Sequence, residues 1–268
     1  MADIKTLLRK MFPERLWAFC CRVYYNCVLT FARLRYAIAG KKVDDPKRIP
    51  VIINNYNRVS DLKRLIASLE SRGYDNIVIL DNNSTYPPLL AYYETCPHEV
   101  IRLPKNYGFL AIWQSGVYER FKSSFYVYTD SDLEIVEDCP DDFMAKFLGI
   151  FHRHPFCHKV GFGLCIDDLP DHYAHKAAVL RNEAEFWENE VEPGVFDAVS
   201  DTTFALYRPF TKGASSPYKF MCRTGAPYMM RHLPWYLDLD NLDEEERYYS
   251  DHVIQSTHWS KTAKNNNA

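Results

Sequence analysis

The sequence predicts an α/β fold built on a mostly parallel central sheet, with a less regular second half. Short β-branched runs alternate with helical periodicity through the first half, and the residues that follow each run are polar. Hydrophobic residues make up 47% of the 268, enough to fill the core of one elaborated domain. In such sheets ligands bind beyond the carboxyl ends of the strands, so the residues just after each strand carry the functional information.

The first strand is read at residues 50–55, Pro-Val-Ile-Ile-Asn-Asn, a buried run bounded by turn residues. A helix follows. Ser60 is placed to cap it, Asp61 suits its first turn, and Leu62, Leu65, Ile66 and Leu69 recur at i, i+3, i+4, i+7 before Gly73 stops it. The alternation continues with a strand at 76–80, a short helix after Pro87-Pro88, a strand at 99–103, a helix over about 109–121 and a strand at 125–129. In the second half, 160–166 and 203–207 read as strands and 177–190 as a helix. Asn241 with Glu244 reads as a capping box for a last acidic helix. The predicted division is a basic, aromatic-rich helical segment over 1–47, a domain over 48–260 that splits at 133 into a regular first half and an irregular second half, and a disordered tail over 261–268.

The net charge of -3 conceals an asymmetry: residues 1–48 hold eleven Lys and Arg against four Asp and Glu, and the rest is acidic, which argues against nucleic acid as a partner. Arg22, Arg33 and Arg35 interrupt the apolar stretch 16–39, so it is not expected to cross a bilayer. An anionic membrane surface, the domain itself and a second subunit are the three surfaces it could bury against. The eight cysteines show no CxxC spacing and read as reduced thiols of a cytoplasmic protein, peripheral on a membrane if the first of those surfaces applies. His152, His154, Cys157 and His158 resemble a soft-metal cluster, but a polar turn after a helix is the favoured reading.

Asp130-Ser131-Asp132 ends a strand of alternating aromatic and small residues, aiming two carboxylates at the ligand edge. That suits Mn²⁺ or Mg²⁺, hard cations that need few protein carboxylates when a substrate diphosphate completes the shell. A second copy, Asp238-Leu239-Asp240, has no buried strand leading into it and reads as a solvated run. Asp81 is placed to accept from a ribose or a base edge, or to cap a surface turn. Asn106-Tyr107-Gly108 either brings backbone amides to a ligand or caps the next helix.

In combination these segments resemble the family 2 glycosyltransferases and relatives with the GT-A fold. The resemblance rests on Val-Ile-Ile-Asn-Asn-Tyr-Asn-Arg at 51–58, Ile-Leu-Asp-Asn-Asn-Ser at 79–84, Asn-Tyr-Gly-Phe at 106–109 and Tyr-Thr-Asp-Ser-Asp at 128–132. It implies that a nucleotide-diphosphate sugar is held by Tyr56, Arg58 and Asp81, with Asn55, Asn82, Asn106, Gly108 and Ser131 beside them. It implies that Asp130 and Asp132 hold the metal and diphosphate, and that His232 completes the metal shell, the alternative for His232 being a hydrogen-bonded core histidine. The acceptor implied is a hydroxyl of a glycan or lipid-linked glycan.

The Glu-Asp pair that supplies the base in many inverting members is not recognisable. Asp201, at the start of a predicted strand, is the first candidate for that role, with Glu183 or Glu185 behind it. Trp187, Trp235 and Tyr236 are candidates to stack on sugar faces. A nicotinamide-dependent enzyme would need a glycine-rich turn after the first strand, and Asn55-Tyr56-Asn57-Arg58 has none. The surviving alternatives are a sugar-phosphate nucleotidyltransferase, a nucleotide-sugar binder without turnover and a membrane-surface adaptor.

Overall fold

Successive side chains of a strand point to opposite faces, and that alternation sorts the core into two layers. A computed structural model of the protein describes residues 12–200, 203–213 and 216–253. From β1 (Val51–Asn55), β2 (Ile77–Asp81) and β4 (Tyr126–Asp130), the side chains of Val51, Ile53, Ile77, Ile79 and Val127 enter one layer. Ile52, Val78, Leu80, Tyr126 and Tyr128 enter the other. The first layer is covered by α2 (Ser60–Glu70) and α6 (Phe143–Arg153), which bury Leu62, Leu65, Ile66, Leu69, Phe143 and Phe147. The second is covered by α4 (Ala111–Gln114) and α5 (Tyr118–Phe121).

The sheet has ten strands in the order β3-β2-β1-β4-β9-β6-β10-β8-β7, with β5 (Leu133–Ile135) paired to β10. The strand β3 is Glu99–Arg102, β6 is Lys159–Leu164, β7 is Glu190–Glu192, β8 is Val195–Asp197, β9 is Ala205–Tyr207 and β10 is Cys222–His232. Strands β1, β2, β3, β4, β6 and β10 all run one way, with β9 antiparallel between β4 and β6. The remaining helices are α1 (Glu14–Ala39), α3 (Pro87–Tyr93), α7 (Lys176–Ala184) and α8 (Glu244–His252). Among the described residues no helix is long and apolar enough to cross a membrane.

Several expectations shift. The helix expected over 109–121 is broken into α4 and α5 by Gly116, whose φ of +84° leaves the right-handed helical region. The helix expected over 177–190 ends at Ala184 in a turn of 3₁₀ helix, Glu185–Trp187. Helix α8 is capped by Asp243, whose side chain accepts from the Glu246 N–H, not by Asn241. The long strand β10 was not foreseen. Its pairing with β6 shifts register between Thr224 and Met229, which breaks the period-2 pattern that would mark it in sequence.

Candidate functional site

The carboxyl ends of β1, β2 and β4 converge as the alternation predicts, and α8 lies across them. Asp130 is the last residue of β4 and receives a hydrogen bond from Asn54 Nδ2 at 3.4 Å. Asp132 follows with Ser131 buried between them, and the Asp132 carbonyl accepts from the Leu233 N–H. Antiparallel pairing of β5 with β10 sets His232 opposite Leu133, which brings His232 Nε2 to 3.8 Å from Asp132 Oδ2. In the second copy of the motif Asp238 and Asp240 are exposed, but Leu239 between them is buried in the core, so the run is only partly solvated.

Asp81 is fully buried at the end of β2. Its carboxylate accepts from the Ser84 N–H, from Tyr93 Oη at 3.2 Å and from Arg102 Nε at 3.2 Å. Neither Tyr93 nor Arg102 was foreseen, although Arg102 ends the third strand at the expected edge. Asn55 donates to Tyr93 Oη at 3.0 Å, joining the end of β1 to the same network. Asn57 adopts a φ of +52°, which asparagine tolerates better than most residues, and its Oδ1 accepts from the Thr85 and Tyr86 N–H groups.

Asn106 and Gly108 serve the loop itself. The Gly108 N–H donates to Asn106 Oδ1, the Tyr107 N–H donates to Asn82 Oδ1, and Asn82 Nδ2 donates to the Gly108 carbonyl at 3.0 Å. The two amides expected to face a ligand are thereby used within the fold.

Arg58 requires a further correction. It is 3% exposed, and its terminal nitrogens pair with Asp61 at 2.7 Å and with Glu246 of α8 at 2.7 Å beneath the ring of Tyr249. Burial opposes its charge, but Glu246, Asp132 and Asp61 together hold its pKa above the ordinary arginine value. Arg58 thus anchors α8 in place of facing an open pocket. Ser60 does not cap α2, because Glu245 takes that role: its carboxylate accepts from the Val59 N–H at 2.7 Å, the Ser60 N–H at 2.9 Å and Ser60 Oγ at 2.8 Å. Tyr56 Oη donates to the His252 carbonyl and Tyr248 Oη to Thr85 Oγ1, completing the attachment of α8.

Carboxylates therefore outnumber cations at this edge. Burial pushes the Glu246 carboxyl up to about 7 even with Arg58 beside it, helped by Asp61, Asp132 and Asp243. Burial raises Asp61 in the same direction, with Asp132 adding to it against Arg58. A cavity of about 200 Å³ opens next to these groups, lined by Ser60, Asp61, Arg64, Tyr236, Asp243 and Glu246 among others.

Asp132 and His232, 3.8 Å apart, have the ligand chemistry and the proximity to share a divalent cation after a small adjustment: two ligands about 2.1 Å from one ion stand about 3.0 Å apart when adjacent. Carboxylate oxygen with one imidazole nitrogen suits Mn²⁺ better than Mg²⁺. Among the described residues no group of three His, Cys, Asp or Glu is arranged to hold an ion unaided, so a substrate would have to complete the shell. At the end of β1, the side-chain atoms Asn54 Oδ1, Asn55 Oδ1, Asn57 Nδ2 and Arg58 Nε are buried without a partner. Buried polar atoms left so are costly, and these four lie within five consecutive residues, 54–58.

The candidate bases part company. Asp201 lies outside the described residues, while the strand after it, β9, starts with Ala205 opposite Tyr128, two residues before Asp130. Glu183 is buried and paired with Arg223 at 2.7 Å, and Arg223 lies nine residues before His232 on β10. Burial raises the Glu183 carboxyl against the pull of Arg223. The structure does not bring it to the Asp130–Asp132 edge. Trp235 is buried against the His232 ring and Trp187 packs against Phe196, whereas Tyr236 lines the cavity.

The family model described as Glycosyl transferase family 2 matches residues 51–189. Solved structures match as well. The mannosyltransferase PcManGT from Pyrobaculum calidifontis, in complex with GDP-Man and Mn²⁺, is 18% identical over 71% of this chain and 53% of its own, with a TM-score of 0.40. Residues 1–349 of S. aureus TarS are 14% identical over 75% of this chain and 62% of that one, with a TM-score of 0.42. Glucosyl-3-phosphoglycerate synthase from Mycobacterium tuberculosis, in complex with Mn²⁺ and UDP-Glc, is 15% identical over 67% and 60%, with a TM-score of 0.37. The chain thus spans between about half and three-fifths of the length of these structures. A comparison with curated protein sequences finds no match.

Proposed function

The chain belongs to glycosyl transferase family 2, and on that premise we propose that it transfers a sugar from a nucleotide-diphosphate donor to a hydroxyl acceptor at the edge formed by β1, β2 and β4. The observation that carries this reading is the cluster of buried, partnerless polar atoms over 54–58 beside the acidic pair Asp130 and Asp132. We assign the atoms of Asn54, Asn55 and Asn57 to a nucleoside, and Asp81, one strand away and held by Tyr93 and Arg102, to its ribose or base edge.

Asp130, Asp132 and His232 would hold Mn²⁺ or Mg²⁺. When bound, such an ion neutralises charge on a departing diphosphate. In the inverting displacement we assign, the acceptor oxygen forms a bond to the anomeric carbon as that carbon's bond to the diphosphate breaks. A carboxylate takes the hydroxyl proton. Asp201 is assigned that role from its position four residues before β9, and Asp201→Asn is expected to lower transfer by at least about a hundredfold while sparing donor binding. A normal transfer rate in that variant removes the assignment. The acceptor is a glycan or lipid-linked glycan hydroxyl, and the protein works in the cytoplasm, peripheral on a membrane.

The direct test is a thermal-shift screen of nucleotide sugars with and without Mn²⁺. A donor at a hundred times its dissociation constant stabilises by about 2.7 kcal/mol. Stabilisation by none of them, with or without the ion, overturns the reading. Stabilisation without turnover would leave a nucleotide-sugar binder.

A further inference from the structure

Helix α1 docks on the domain by one narrow face. Leu29 and Ala32 are buried there, Tyr25 meets His158 and Lys219, and Tyr36 meets Phe125. At 100° per residue the opposite face is a continuous apolar stripe through Leu16, Phe19, Val23, Phe31, Leu34 and Ile38. Those side chains face solvent, Phe19 at 63%, Phe31 at 72% and Ile38 at 87% exposure. An apolar stripe this long on an outer surface marks an interaction site.

The charges beside it select the occupant. Arg15, Arg22 and Arg33 fall within about 20° of one another around the helix axis and border the stripe on one side, while Arg35 stands on the other. Glu14 is the only acidic residue within Glu14–Ala39. Lys41, Lys42 and Lys212, all exposed, extend the basic border beyond the helix. A second copy laid on this face would bring two arginine rows together with Glu14 as the one acidic residue on each helix, Asp197 and Glu119 near Arg22 and Arg35 belonging to the domain behind it. Anionic headgroups answer them directly, and the apolar side chains enter the acyl boundary beneath.

Position in the fold then sets the orientation. Phe125 and His158, which α1 touches, immediately precede β4 and β6, so α1 lies at the starts of these strands. The ligand edge is at the other end, where Asp130 closes β4. Five residues of strand span about 17 Å, and the helix adds about 10 Å.

We propose that the outward face of α1 seats the domain on an anionic lipid surface with the ligand edge of the sheet turned away from it. The proposal deepens the membrane part of the functional reading and rests on it. The acceptor hydroxyl must then be presented roughly 25 Å above the bilayer. A soluble glycan or the far end of a lipid-linked chain meets that condition, and a sugar attached directly to a headgroup does not.

The test uses the full chain and vesicles of phosphatidylcholine alone or with 30% phosphatidylserine, read by flotation and by maleimide labelling. Cys20 and Cys27 are free, exposed and centred on the outward face, whereas Cys165 is half-buried beside the carboxyl end of β6. The expected result is flotation with the anionic vesicles only, protection of Cys20 and Cys27 on them, and unchanged labelling of Cys165. Replacing Arg15, Arg22 and Arg33 by Gln should weaken partitioning about a hundredfold. The triple variant Phe19→Ser, Phe31→Ser, Leu34→Ser should abolish it without changing the melting profile, since all three side chains are already solvated. Flotation with Cys20 and Cys27 still reactive overturns the orientation and leaves membrane association standing. No flotation overturns both. Protection of these thiols without vesicles, with a doubled solution mass, assigns the face to a second copy.

Discussion

Replacing Glu245 by alanine should loosen α8 from the donor edge. The carboxylate is 7% exposed and accepts three hydrogen bonds of 2.7, 2.9 and 2.8 Å from the Val59 N–H, the Ser60 N–H and Ser60 Oγ. Hydrogen bonds to a charged group contribute about 1.5–3 kcal/mol each and are not additive. Taking the three together as about 3 kcal/mol, and allowing about 2–4 °C per kcal/mol for a chain of this size, the global melting point falls by about 6–12 °C if α8 and the core melt together. If α8 opens on its own, the same loss is read locally. Hydrogen exchange at the Val59 and Ser60 amides then accelerates about a hundredfold, because each 1.36 kcal/mol is tenfold. Glu245→Gln keeps one acceptor oxygen and should show a smaller effect of the same sign. Unchanged exchange at both amides in Glu245→Ala would refute the claim that this side chain, in place of Ser60, caps α2.

Asp132→Asn should abolish Mn²⁺-dependent stabilisation by a nucleoside diphosphate and reduce turnover below detection, since an amide is a poor substitute for a charged hard ligand; full activity in excess chelator would sink the metal assignment. Gly163→Ala would place a Cβ 2.3 Å from the Thr224 carbonyl oxygen and 2.5 Å from the Trp187 ring. Overpacking of that kind costs about 1–3 kcal/mol, measurable as a lowered denaturation midpoint, and an unshifted midpoint would show that β10 can yield there. The Glu246 carboxyl titrates near 7 in the fold against an ordinary value of 4.5, so the folded protein holds a proton that the unfolded chain releases. Its contribution is therefore complete below pH 4.5 and is lost as the pH rises through about 7. Glu246→Gln should flatten the decline of stability across that window, by up to about 1.4 kcal/mol per pH unit, and an unaltered slope would assign the decline to another group.

The sequence by itself determined the first half of the sheet and the acidic pair. β1, β2 and β4 are short buried runs whose polar successors sit where a parallel sheet must put them, and β3 is a half-buried run beside them, so Asp81 and Asp130 were legible from local pattern alone. Tertiary structure decided the rest, because the deciding contacts join residues far apart in the chain. His232 reaches Asp132 through the pairing of β5 with β10, and no periodicity in β10 announces that pairing across its register shift. Arg58 reads from sequence as a cation beside a donor, yet Glu246, 188 residues later, neutralises and buries it. Ser60 carries every local mark of a helix cap, and Glu245 displaces it because an ionised carboxylate is the stronger acceptor for the N–H groups at a helix N-terminus. Glu183 carries an open helix-face pattern in sequence, but Arg223 draws it into the core. Local propensity fixes where strands and turns fall, whereas partner choice among charged groups depends on which surfaces the completed sheet brings together.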